Sequence, residues 1–286
     1  MIPRPIANDT RSTQHDATHH RRVATIAVHV ATIALATVGA CKKPNVQPAV
    51  THNSAALVVD APRAVGDDAV ATPADSIANQ RECSNGNTKA CYELGVAYEG
   101  GTGVAEDAAK AAALFQQACD AGNMKGCYRL GFLYRAGTGV ARNATKAAAL
   151  FQQACDGGHM KGCDDLAALY EAGIGVAKNA AKAVALYQQA CAGGEMLGCY
   201  SLADEYESGT SVAKDAAKAA ALYQRACDGG EMLACAHLGE LFASGTGVAK
   251  DAAKAAALYQ QACDGGHSLG CYNLRISKDA TKAAAH

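Results

Sequence analysis

Apolar and polar positions along most of this 286-residue chain follow a helical spacing, and the pattern repeats. Cys91, Leu94, Gly95 and Tyr98 fall at i, i+3, i+4 and i+7, which sets them on one face of a helix. A second run, Ala111, Leu114, Phe115 and Ala118, has the same spacing, and its copies Leu150-Phe151, Leu186-Tyr187, Leu222-Tyr223 and Leu258-Tyr259 each lie 36 residues further on. A fixed period of that length holds two helices and two turns, so each period predicts an antiparallel helix hairpin that stacks on the next.

Punctuation between the helices agrees. Gly101 is a left-handed stop for the first helix. After the loop Thr102-Gly103-Val104-Ala105, Asp107 stands at the N-cap of the second helix, where the copies carry Asn143, Asn179, Asp215 and Asp251. Thr72-Pro73 opens the first ordered segment, a capping half-unit with Pro at its first helical position and Cys83 near its end. At the other end, Lys278-Asp279-Ala280-Thr281-Lys282-Ala283 matches the start of a second helix eight residues early. The last unit is therefore expected to lose its loop and end as a frayed or atypical cap.

Composition changes the picture in one respect. Half the residues are apolar, but aromatics are only 5%, Trp is absent and Ala supplies much of the apolar share. Burial contributes about 25 cal/mol per Å², so small side chains make a thin core and extra stabilisation is expected. A net charge of -1, with Lys and Arg spread through the helices, leaves no basic patch for nucleic acid.

Twelve of the thirteen cysteines come in pairs eight residues apart, and Cys41 is left over. It closes Val38-Gly39-Ala40-Cys41, after His19-His20-Arg21-Arg22 and an apolar run from Val23 to Val38. The sequence reads as n-region, h-region and cleavage site, and its last four residues resemble a bacterial lipobox. That likeness implies a signal peptide over residues 1–40 and a lipid anchor on Cys41. The alternative is an uncleaved anchor of about 18 apolar residues, the short edge of what spans a bilayer. Either way the repeats lie outside the cytoplasm, where disulfides persist. Residues 41–72, with Pro44, Pro48 and Pro62 and no sustained period, read as a flexible tether to a repeat region over 73–286.

The units resemble Sel1-like repeats, relatives of the tetratricopeptide repeat, in Leu94-Gly95, Tyr98, Gly101-Thr102-Gly103-Val104 and Ala111-Ala112-Ala113-Leu114-Phe115. The paired cysteines are similar to those of the Hcp-type cysteine-rich subgroup, whose members are secreted and often labelled beta-lactamase. The likeness implies an all-α, right-handed α/α solenoid of helix hairpins cross-linked by disulfides.

An eight-residue separation puts one cysteine on the last turn of a helix and its partner on the first turn of the next. The expected bridges are Cys83–Cys91, Cys119–Cys127, Cys155–Cys163, Cys191–Cys199, Cys227–Cys235 and Cys263–Cys271, a pairing the Hcp-type likeness also implies. The competing reading is metal, because His159 and His267 lie between paired cysteines. Closely spaced ligand pairs are missing, however, and other copies carry Asn123, Glu195 and Glu231 there. Those histidines read as exposed turn residues, and no metal or cofactor is expected. Redox catalysis is disfavoured by the lack of Cys-x-x-Cys.

Ser211-Val212-Ala213-Lys214 fits Ser-x-x-Lys, the nucleophile motif of serine beta-lactamases and penicillin-binding proteins. The internal copies read Gly139-Val140-Ala141-Arg142, Gly175-Val176-Ala177-Lys178 and Gly247-Val248-Ala249-Lys250. Ser211 is thus read as a drifted loop Gly, and neither Ser-Asp-Asn nor Lys-Thr-Gly completes a site.

Positions that vary between units point to the binding surface. Two residues after the first-helix cysteine stand Glu93, Arg129, Asp165, Ser201, His237 and Asn273; one turn on stand Ala97, Leu133, Leu169, Glu205 and Leu241. Both columns are expected on the side away from the Cys-Leu-Tyr face. First helices line the concave surface of helical solenoids, so Tyr92, Glu93, Tyr128, Arg129, Asp165, Tyr200, Ser201, Glu205, His237, Tyr272 and Asn273 form the candidate ligand groove. A solvated face with drifting residues is the competing reading.

The expected function is a lipid-tethered scaffold of the bacterial envelope that binds a protein, peptide or peptidoglycan-related fragment. The Hcp-type likeness implies a second class, a protein that hydrolyses or sequesters beta-lactams. Cysteine-rich Sel1-like proteins imply a third, a redox-dependent assembly factor, which evenly paired cysteines disfavour.

Overall fold

The computed structural model describes residues 73–284. The expected signal peptide, Cys41 and the tether lie outside them. All regular structure among the described residues is helical. The order is α1 (Pro73–Ser84), α2 (Thr88–Gly100), α3 (Ala108–Asp120), α4 (Met124–Ala136), α5 (Ala144–Asp156), α6 (Met160–Ala172), α7 (Ala180–Ala192), α8 (Met196–Ser208), α9 (Ala216–Asp228), α10 (Met232–Ser244), α11 (Ala252–Asp264) and α12 (Ser268–Ala284). None is long and apolar enough to cross a membrane.

Five hairpins, α2/α3 to α10/α11, are built from one local code. Each second helix starts on a side-chain cap: Asp107, Asn143, Asn179, Asp215 and Asp251 accept from the backbone N–H of the lysine three residues on. Each first helix ends on a left-handed glycine, as at Gly101 with φ 66°. The same lysines then lie over an aromatic ring of their own unit. Lys110 sits 5.1 Å from the Tyr98 centroid, and Lys254 sits 4.2 Å from Phe242, a contact worth about 0.5–1 kcal/mol at exposed sites.

Packing explains the composition. Ala111, Phe115 and Ala118 are fully buried, as are Ala147, Phe151 and Ala154 in the next unit. A Cβ on Gly95 would come within 2.7 Å of the Phe115 ring, so glycine here admits the aromatic side chain. Each first helix is gripped from two sides. Leu133 of α4 packs with Ala111, Ala112 and Phe115 of the preceding α3, while Leu150 of its own α5 closes the same cluster. The column Ala97, Leu133, Leu169, Glu205 and Leu241, expected in the groove, is buried throughout. A helix between two second helices buries a second flank beyond the single apolar stripe that local spacing predicts.

The six disulfides form with the expected partners, each with Cα atoms 4.4 to 4.7 Å apart. Each ties the second helix of one unit to the first helix of the next, so the bridges staple the boundaries where the stack would otherwise part. Closing a nine-residue loop contributes about 2.5 kcal/mol in the chain-entropy model. Such bridges belong to an oxidising compartment.

Both ends depart from the repeat. In α1, Asp75, Asn79 and Glu82 stand where the internal helices bury Ala111, Phe115 and Ala118. At the other end the two fragments of the last unit fuse into one 17-residue helix, α12, rather than fraying. Arg275 occupies the Gly95 position there and Lys278 the Tyr98 position. A second helix packed on α12 in the manner of the repeat would have to seat its aromatic ring on an arginine.

Candidate binding face

First helices of neighbouring hairpins meet directly, α6 with α8 and α10 with α12, and so form the inner side of the stack. The residue two after each cysteine is half-buried there and reaches back to the preceding unit. Arg129 Nη1 lies 3.4 Å from Glu99 Oε2. Asp165 pairs with Arg135. Ser201 donates to Asp164 Oδ1 at 3.3 Å, His237 Nε2 lies 3.3 Å from the Tyr200 hydroxyl, and Asn273 donates to Glu240 Oε1 at 2.8 Å. Except for Glu93, which pairs with Lys89 of its own helix at 3.5 Å, this expected column forms a polar ladder between units.

The tyrosine column has a second duty. Tyr92, Tyr128 and Tyr200 set their rings 5.8, 5.7 and 5.6 Å from Phe115, Phe151 and Tyr223 of the second helices. They therefore roof the core while presenting an edge to the inner side. Tyr272 lacks a second helix to cover and is 52% exposed. His237 stacks on Tyr223, with centroids 5.5 Å apart. Burial, with Asp204 and Glu207 close by, pushes the Tyr200 hydroxyl up to about 12.

Glu205 does not join this face. It is 4% exposed, and its Oε2 accepts from the backbone N–H of Ser211 at 3.0 Å. In the other units that loop position is glycine at φ 68° to 73°, and a Cβ on Gly139 would meet the Ala108 carbonyl at 2.2 Å. Serine cannot follow that path, so the loop is rebuilt around a buried carboxylate. Ser211 and Lys214 both lie in the loop ahead of α9, not on a helix.

His159 is half-buried rather than an exposed turn residue, with its ring 4.8 Å from Tyr128. Burial first, and then Lys161 and Lys125, lower its pKa to about 4. His267 is half-buried too, with Nδ1 inaccessible. With all twelve repeat cysteines oxidised, no thiolate remains there for a metal.

Asp164 escaped the reading of the sequence. It stands in the tyrosine column, is 9% exposed, and has Ser201 as its hydrogen-bond partner. Burial, and then the charge of Asp165, raise its carboxyl to about 7. Its signal was the break in the series Tyr92, Tyr128, Tyr200. Glu99, Arg135, Glu207 and Glu240 were missed as well, because their roles exist only across neighbouring helices.

Among solved structures, the chain is similar to c5321, a protective antigen of uropathogenic Escherichia coli with an SLR fold. The two are 30% identical with a TM-score of 0.63, over 70% of this chain and 43% of that one. The present chain thus spans less than half the length of that relative. A Sel1 repeat protein from Oxalobacter formigenes is 23% identical with a TM-score of 0.63, over 70% of this chain and 86% of its own. Helicobacter pylori cysteine rich protein B is 30% identical over 46% of this chain and 93% of its own, with a TM-score of only 0.38. No curated protein matches the chain. The Sel1 repeat model matches residues 88–123, 125–159, 161–195, 197–231 and 233–267, which is more than half of the sequence, and the chain belongs to the Sel1 repeat family.

Proposed function

We propose that this protein is a binding scaffold of the bacterial envelope, tethered through a lipid on Cys41, which presents the inner face of its first helices to a segment of another protein. The observation that carries this reading is the polar ladder from Arg129 to Asn273. The variable residues of the repeat are gathered on one side, half-buried and held in place by the preceding unit. Side chains restrained in this way lose little entropy when a ligand docks. Disulfides at every unit boundary keep that face from flexing, and no nucleophile set accompanies it. A protein or peptide segment suits a long face of this kind better than a peptidoglycan fragment, because successive units offer successive contacts.

A photo-crosslinking amino acid placed at Ser201 or Asn273 in the full chain, expressed in an envelope-forming bacterium, tests the reading. Discrete adducts from these sites and none from the outward Ala149 or Ala185 are expected. Equal labelling from both faces would remove the inner face as the site. Membrane attachment is read separately, by release of the Cys41→Ala chain into the soluble fraction.

A further inference from the structure

Charge is not spread evenly over the inner helices. Helix α4 carries Lys125, Arg129 and Arg135 and no acid, whereas α8 carries Asp204, Glu205 and Glu207 and neither α8 nor α10 contains a lysine or arginine. Acids from α6 to α10 are held mainly by neutral donors. Glu171 accepts from the Tyr187 hydroxyl at 3.0 Å, Glu207 from Tyr223 at 2.9 Å, Asp164 from Ser201 at 3.3 Å and Glu240 from Asn273 at 2.8 Å. Neutral donors orient a carboxylate without cancelling its charge. Among the described residues, the cationic partners of acids on α6, α8 and α10 are Arg135 on Asp165 and, when protonated, His237 beside Glu240; Lys218 pairs with Asp215 at the start of α9.

Two acids on these helices are nine-tenths buried, Asp164 and Glu205, and Glu205 is turned away to the Ser211 backbone. Asp164 replaces the aromatic roof of its unit with a short carboxyl, and no ion pair reaches it from α6, α7, α8 or α10. The charged neighbours that act on it, Asp165, Glu195 and Glu231, are all acidic. A buried carboxylate without a cation is costly, and a side chain bringing one removes that cost.

Resting on the scaffold reading above, we propose that the inner face of α6, α8 and α10 docks a basic segment of a partner protein, with a lysine or arginine head entering beside Asp164. The Tyr200 and His237 rings, 5.5 Å apart and tilted 56° to one another, offer ring surface to the stem of such a side chain, and Glu207 and Glu240 receive the neighbouring basic residues. Long-range attraction brings the segment in, so association falls as salt rises.

The test uses the full oxidised chain and two fluorescein-labelled dodecapeptides, one alternating lysine with alanine and the other alternating glutamate with alanine. Fluorescence anisotropy is followed at low and moderate salt. The lysine peptide is expected to bind, and Asp164→Asn with Glu207→Gln to weaken it at least tenfold. The same two charges removed from the second helices, as Asp156→Asn with Asp228→Asn, should change affinity less than twofold. Circular dichroism melting confirms that both double variants are folded. Equal affinity in the two double variants, or no binding of the lysine peptide, overturns the proposal. Capture of the glutamate peptide with protection of α4 in hydrogen exchange would overturn the basic partner yet leave the scaffold. Protection confined to the second helices, with either peptide, would sink both.

Discussion

Glu205 reaches six residues along the chain to take the backbone N–H of Ser211 at 3.0 Å, and it does so from a position that Leu133, Leu169 and Leu241 fill elsewhere. Two departures from the repeat, one in the core and one in the loop, therefore answer each other. Glu205→Leu alone strands a half-buried donor, which costs about 1 kcal/mol, the low end for an unsatisfied group. Ser211→Gly alone restores the loop glycine but keeps the buried acid. Both together recreate the other units, and urea unfolding should show the double variant more stable than either single one. A coupling energy near zero would mean that the two departures are unrelated.

Asp164 makes stability depend on pH. Its folded pKa, about 7, lies above the ordinary aspartate value of 3.8, so between those limits the folded state binds more protons than the unfolded one. Stability contributed by the protonated form is complete below pH 4, declines as pH rises to 7, and is level above that. A difference of that size corresponds to a few kcal/mol at about 1.4 kcal/mol per unit. Asp164→Asn should flatten this decline and melt higher than the parent at pH 8. Parallel melting curves for the two proteins from pH 5 to 8 would refute the assignment.

The staples should be separable. Cys155→Ala with Cys163→Ala is expected to cost about 2.5 kcal/mol in denaturant unfolding under oxidising conditions. In a reductant the parent and this variant should converge, since all boundaries are then open. A cost that survives reduction would point to packing rather than to the cross-link.

Arg275 and Lys278 leave α12 without the seat that internal first helices offer a second helix. Arg275→Gly, Ser277→Leu and Lys278→Tyr together rebuild the seam of an internal first helix, beside Tyr272 and Ile276, which are already 52% and 47% exposed. Light scattering should show this variant associating at concentrations where the parent does not. An unchanged mass would mean that the extended helix, not its charge, closes the stack.

Much of this architecture is legible before any folding is considered. Helix hairpins, their caps at Asp107 and Gly101, and the cysteine pairs are local: each depends on residues within about one helical turn or one short loop, and a 36-residue period repeats them until drift is averaged out. Tertiary structure decided what local spacing has no means to express. A first helix packs against two second helices, so Leu133 and Glu205 turn inward from a flank that one apolar stripe leaves open. The ladder from Arg129 to Asn273 joins residues 30 to 37 positions apart, and Asp164 acquires its character from burial, from Asp165 beside it, and from Glu195 and Glu231 at the starts of α8 and α10. Periodicity records the neighbours a residue has along its own helix; burial and charge coupling are set by the helices that come to lie beside it.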